Sequence, residues 1–199
     1  MKIFFDSEFT GLQKNTTLIS IGLIDENNRM FYGVFDDCDE SQLNDWLIEN
    51  IINKLDYELP ETLKDSELTY VKGDKTKIRL ELLDWLNEGG YNIVEFVSDV
   101  CHYDFVLLID LLWDCALSLP DNVSPVCVDI NSHIARYKNI TDFGAFGLSR
   151  EKLIKSDLQY NKKDTLLVED LLSLESKHNA LYDAIVIKLI CEGIENNHE

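Results

Sequence analysis

The chain has 199 residues, 45% of them hydrophobic and 10% aromatic, which suits one filled core over residues 1–199 and is short for two full domains. Its formal net charge of −19, from 18 basic and 37 acidic residues, argues against long-range capture of duplex nucleic acid. Five scattered cysteines (Cys38, Cys101, Cys115, Cys127 and Cys191) form no C-x-x-C pair, so a reducing cytoplasm is expected and a disulfide framework or zinc ribbon is not.

Lys2 to Asp6 reads as a short buried strand, Thr17 to Ile24 as a second and Met30 to Phe35 as a third, with Asp25-Glu-Asn-Asn28 as the turn between the last two. Met1 to Phe5 meets Asp6 before an apolar signal could form, and Asp110 and Asp114 break the later apolar run, so neither a secretory signal nor a membrane span is expected. From Ser41 the period becomes helical, with Leu43, Trp46, Leu47 and Ile51 on one face. Leu55 to Lys77 carries no strong signal. Lys75 to Asn87 reads as a helix stopped by Gly89-Gly90, and Asn92 to Val97 as a fourth strand. A helix from about Tyr103 to Leu117, a short fifth strand over Val126 to Asp129, and helices over Lys163 to Ser173 and Asn179 to Glu195 follow. A meander followed by alternating strands and helices describes an α/β fold, a mixed sheet with helices on both faces.

Asp6 and Glu8 stand two apart on the first strand, so both carboxylates face one side. Such a pair repels, and either one takes a proton or a cation sits between them; oxygen-only ligands suit hard ions such as Mg²⁺. The triplet alone is weak evidence, since Asp65-Ser-Glu67 copies it without the buried strand before or the Thr-Gly-Leu after. Asp104 falls on the inward stripe of Leu107, Leu108, Leu111 and Cys115, at the first turn of its helix; the plain alternative is that it only favours the helix N-terminus. Asp183 precedes Ile187 by four on the last helix and also turns inward. His178 lies five residues ahead of it, and a near-neutral pKa suits a general base for water. The charge is uneven: seven basic residues against three acids lie between Arg136 and Lys163. That polarity tolerates contact with a short anionic chain.

The blocks Phe5-Asp-Ser-Glu-Phe-Thr-Gly-Leu12, Tyr103-Asp-Phe105 and His178-Asn-Ala-Leu-Tyr-Asp-Ala184 together resemble the three exonuclease motifs of the DEDD superfamily in its histidine-containing (DEDDh) branch. Within that branch the size and acidity are similar to those of small bacterial and phage 3′→5′ exoribonucleases. The resemblance implies a ribonuclease-H-like fold with a five-stranded mixed sheet. It matches Asp6, Glu8, Asp104 and Asp183 to four metal-binding acids holding two Mg²⁺ or Mn²⁺ ions, and His178 to the general base. Ser7, Phe9, Thr10, Gly11, Leu12 and Tyr103 match the stretch that holds the terminal nucleotide. Asp99 competes with Asp104 for the second motif; the Tyr-Asp-Phe setting favours Asp104, leaving Asp99 to cap the strand-to-helix junction. The segment from Leu55 to Lys77 has no counterpart in the family pattern.

The implied activity is metal-dependent hydrolysis from the 3′ end of short or single-stranded RNA, releasing nucleoside 5′-monophosphates. A homodimer is a further partner that the resemblance raises, and no membrane partner is expected. A DNA exonuclease of proofreading or repair type shares every motif. An acidic, non-catalytic mimic of nucleic acid would explain the charge but not two inward acids on separate helices beside a histidine. A zinc protein built on Cys101, His102 and His133 lacks a usual ligand spacing.

Overall fold

The computed structural model describes residues 1–56, 58–174 and 176–196. A six-stranded sheet in the order β4-β3-β2-β1-β5-β6 divides two apolar layers. β1 (Lys2–Phe9), β2 (Leu18–Asp25) and β3 (Met30–Phe35) form the antiparallel meander, while β5 (Glu95–Ser98) pairs in parallel with β1, and β6 (Val128–Asp129) in parallel with β5. Asp25 ties the β2–β3 turn, accepting from the N–H groups of Asn27 at 2.8 Å and Arg29 at 2.9 Å, and Asn28 takes the left-handed conformation at φ 65°.

The α/β class and the mixed sheet agree with the sequence and are compatible with a ribonuclease-H-like fold, but the strand count is six rather than five. β4 (Leu68–Gly73) adds in parallel to β3, inside the stretch for which the sequence suggests no element. As an edge strand it buries only Val71 and Gly73, so it lacks the dense apolar run that marks β2. Along β1 the alternation of the pleat sends Ile3 and Phe5 to one layer and Phe4 to the other. The first layer is completed by α2 (Lys75–Glu88) and α3 (His102–Trp113), through Ile78, Leu82, Trp85, Leu108 and Leu111. The second is completed by α4 (Ile130–Lys138), α7 (Lys162–Ser173) and α8 (Ala180–Asn196), through Ile134, Leu171, Ile185 and Leu189.

Two helix boundaries differ from expectation. α3 stops at Trp113 because Asp114 turns left-handed at φ 61° and its carboxylate pairs with Arg79 at 2.9 Å. Cys115, expected on the inward stripe to Leu117, is therefore exposed beyond the helix end. The helix expected from Ser41 is a 3₁₀ turn over Glu40–Gln42 followed by α1 (Asp45–Asn50), capped by Asn44. Leu47 and Ile51 are buried against Ile19, but Trp46, one residue off that four-residue spacing, is 52% exposed. Among the described residues no helix is long and apolar enough to cross a membrane.

Candidate active site

The site begins with the pleat of β1. Because Phe4 faces the layer of α8, Asp6 and Glu8 face it too, and Ser7 points the other way, toward α3. Across the ladder Asp6 pairs with Gly22 of β2. A Cβ at Gly22 would lie 2.3 Å from the backbone nitrogen of Leu181, so the missing side chain is what lets the first turn of α8 press onto the sheet beside Asp6. A register shift between Glu8 and Phe9 turns the strand end at that point.

Asp183 comes in on that first turn. Its Oδ2 accepts from the backbone N–H of His178 at 3.0 Å, a reach-back that also holds the turn preceding the helix. Asn179 fixes the same turn from below: its Oδ1 accepts from Leu181 N–H at 3.1 Å, and its Nδ2 donates to the Tyr32 hydroxyl at 2.8 Å and to the Lys54 carbonyl at 2.9 Å. His178 itself sits at φ 68°, a left-handed conformation that histidine adopts more readily than most residues other than glycine. Its ring meets Trp46 edge to face at 5.3 Å. Asp104 arrives from the other layer, at the first turn of α3, where Oδ1 accepts from Ser7 N–H at 3.0 Å and Ser7 Oγ–H at 2.6 Å. Strands β1 and β5 are parallel, so these acids gather at one end of the sheet, at the carboxyl-terminal end of β1.

The electrostatics are those of like charges brought together. Burial comes first in every case, and neighbouring acids add to it: Asp6 is pushed well up by burial and by Asp104, Asp183 and Glu8. Glu8 rises to about 8, by burial, Asp183 and Asp104, against some relief from Lys54. Burial carries Asp183 to about 7 despite the His178 N–H, and Asp104 to about 6 despite the two Ser7 hydrogen bonds. Burial and the nearby Lys177 and Lys54 push His178 below its ordinary 6.5, which favours the neutral imidazole. Lys54 and Lys177 are thus too little positive charge for four carboxylates.

That imbalance is the test of whether a metal fits. Oxygen donors in a half-buried cluster, each driven toward the neutral acid for want of a cation, suit a hard divalent ion. One oxygen or nitrogen each from Glu8, His178 and Asp183 already lie within 4.8 Å of one another. Among the described residues Cys101, His102 and His133 form no such group.

Asp6, Ser7, Glu8, Phe9, Thr10, Gly11, Leu12, Asp104, His178 and Asp183 line one cleft of about 490 Å³, together with Trp46 and Asn44. Tyr103 stands behind it, stacked on Phe9 at 6.0 Å with its hydroxyl donating to the Leu12 carbonyl at 3.3 Å. Thr10 is buried, and its hydroxyl donates to Gln42 Oε1 at 2.6 Å, tying the loop after β1 to the 3₁₀ turn. Asp99 does not cap α3. Arg150 takes it instead, Nε donating to Oδ2 at 2.6 Å and Nη2 to Oδ1 at 2.9 Å, because the half-buried guanidinium is the stronger partner. Sequence reasoning missed Trp46 as a cleft wall and Lys54 as a tether, whose Nζ donates to the Lys177 carbonyl at 2.9 Å. Helical period sets Trp46 on one face with Leu43 and Leu47, but the helix begins only at Asp45, so Leu43 lies outside it and Trp46 stands exposed in its first turn.

Two curated proteins are similar to this chain: the 3′-5′ exoribonucleases MT2234.1 and Rv2179c, from two strains of Mycobacterium tuberculosis. Each is 28% identical over 123 residues, covering 62% of this chain and 67% of the relative. No family model matches the chain.

Proposed function

We propose that the protein is a metal-dependent 3′→5′ exoribonuclease of the histidine-containing DEDD type. The observation that carries this reading is the convergence of Asp6, Glu8, Asp104 and Asp183 from β1, α3 and α8, undercompensated in charge, with His178 in the same cleft. The names of the two relatives favour RNA and the 3′ end. Asp6, Glu8, Asp104 and Asp183 would hold two Mg²⁺ or Mn²⁺ ions, whose Lewis acidity supplies a nucleophilic water near neutral pH and offsets charge on the phosphodiester.

The chain's own residues do the rest. His178, neutral and oriented by the turn that Asp183 and Asn179 hold, accepts the proton that the attacking water loses at its imidazole. Phe9, Leu12 and Trp46 offer apolar surface for the terminal base and sugar, which excludes water from that side. Water attacks the phosphorus of the last phosphodiester and the bond to the 3′-oxygen of the preceding nucleotide breaks, so the shortened RNA keeps a free 3′-hydroxyl and the terminal nucleotide is released as a nucleoside 5′-monophosphate. The test is a time course on matched, 5′-labelled RNA and DNA oligonucleotides with Mn²⁺ or Mg²⁺ against EDTA. A ladder shortening from the 3′ end of RNA, dependent on metal and absent in Asp183→Asn, is expected; intact RNA under all conditions would overturn the reading, and faster loss of DNA would change the substrate class.

A further inference from the structure

A second hollow, of about 270 Å³, opens beside the first and shares Asp6, His178 and Asp183 with it. Its other wall carries Val100, Phe146, Leu148, Arg150 and Lys177. We infer that this hollow is the subsite for the nucleotide on the 5′ side of the scissile bond, with its base stacked on Phe146. The inference rests on the exonuclease reading above.

A phosphodiester lying over Asp6, His178 and Asp183 has one nucleoside on each side, and the walls of the first cleft, Phe9, Leu12 and Trp46, are those suited to the terminal one. The other nucleoside must then leave across Phe146. That ring is 59% exposed, although the residue before it, Ala145, is fully buried. Its backbone is braced on both sides: Arg150 Nη1 donates to the carbonyls of Ala145 at 2.8 Å and Leu148 at 3.1 Å. The rest of the guanidinium is spent on Asp99 and on Asn131 Oδ1, the latter at 2.6 Å, so Arg150 has no N–H left for a phosphate and acts as a strut. An exposed aromatic on a rigid support, with the exposed Lys177 at the rim, is the combination that holds single-stranded nucleic acid without reading sequence. A lone exposed phenylalanine is commonplace; one that shares a hollow with the reacting groups is not.

The experiment compares kcat/KM on a short single-stranded RNA with kcat/KM on the same RNA lacking the base at its penultimate position, in Mn²⁺. Wild type should favour the complete substrate by roughly 5- to 150-fold, the range of one base–aromatic stack. Phe146→Ala should lose most of that preference by slowing only on the complete RNA, and Phe146→Trp should keep it. An unchanged Mn²⁺-induced rise in Tm shows that the Ala variant retains the folded acid site. Equal preference in wild type and Phe146→Ala would overturn the subsite while leaving the exonuclease in place. A wild type inert on both RNAs would overturn the exonuclease reading, and the subsite with it.

Discussion

Replacing Asp183 with Asn separates two things that one carboxylate does. In metal-free protein at pH 8 the ionised Asp183 sits half-buried beside other acids, whereas an amide oxygen can still accept the His178 N–H without the charge. Asp183→Asn should therefore raise the metal-free Tm, on the order of 5 °C, while removing the Mn²⁺-induced rise and the activity. Scanning calorimetry in EDTA and in Mn²⁺ checks both. The sign extends to pH. Folded-state values of about 6 for Asp104, about 7 for Asp183 and about 8 for Glu8 all lie above the ordinary 3.8 or 4.5. The folded state thus binds more protons in this window, and the stabilisation is complete below the unfolded values and lost as pH rises through the folded ones. The Tm gap between Asp183→Asn and wild type in EDTA should widen from pH 5 to pH 8. A constant gap would show that Asp183 is not held in a repulsive cluster.

At the scale of elements, the site depends on how closely α8 approaches β2. In Gly22→Ala the new methyl would stand 2.3 Å from Leu181 N and 2.4 Å from Leu181 Cα, contacts that backbone cannot relieve without moving the helix. A loss of about 3 kcal/mol is expected, as for overpacking, with activity down roughly 100-fold because Asp183 and His178 ride on that turn. Unfolding in urea and a nuclease assay measure the two. The Arg150 strut joins β5, α4 and the α5 (Asp142–Phe146) to α6 (Arg150–Lys152) connection. Arg150→Met should cost about 2–3 kcal/mol, since Asp99 is left with an unpaired, half-buried charge. Adding Asp99→Asn should recover part of it, and the double variant should keep its Mn²⁺-induced rise in Tm; loss of that rise would place Asp99 among the metal-holding acids.

Over the whole molecule, what could be read in advance follows from where the information sits. The meander and the two central helices were legible because β2 is buried on both faces and α2 is capped by Asp74 and bounded by glycines, all local signals. β4 was not, because an edge strand with two buried residues is chosen by its neighbour β3 more than by its own composition. Asp6, Glu8 and Asp183 could be placed on inward faces from period alone, but the approach that brings them together depends on Gly22, whose role appears only when α8 is laid on the sheet. Phe146 and Asp99 stand 4 and 51 positions before Arg150, and the longer pairing leaves no periodic trace.

The charge distribution is also a property of the whole. Two of the seven basic residues between Arg136 and Lys163 are already engaged, Arg150 with Asp99 and Lys138 with Asp157 at 2.8 Å, and elsewhere Lys75 pairs with Asp110 and Arg79 with Asp114. The other five basic residues of that stretch, Arg136, Lys152, Lys155, Lys162 and Lys163, line neither the cleft nor the hollow beside it, and the net charge stays at −19. A protein that neutralised several phosphates would lose about 10³-fold or more in affinity between 50 and 200 mM salt. Here monovalent salt screens repulsion as well as attraction. With Mn²⁺ held saturating, kcat/KM on a short RNA should change by less than about threefold over the same range. A steep fall would mean that an extended cationic track, beyond Lys177 and the cleft, carries the substrate. A flat or rising profile would fit an enzyme that takes hold of its substrate only at the last few nucleotides, by stacking and by the acids that gather at the end of β1.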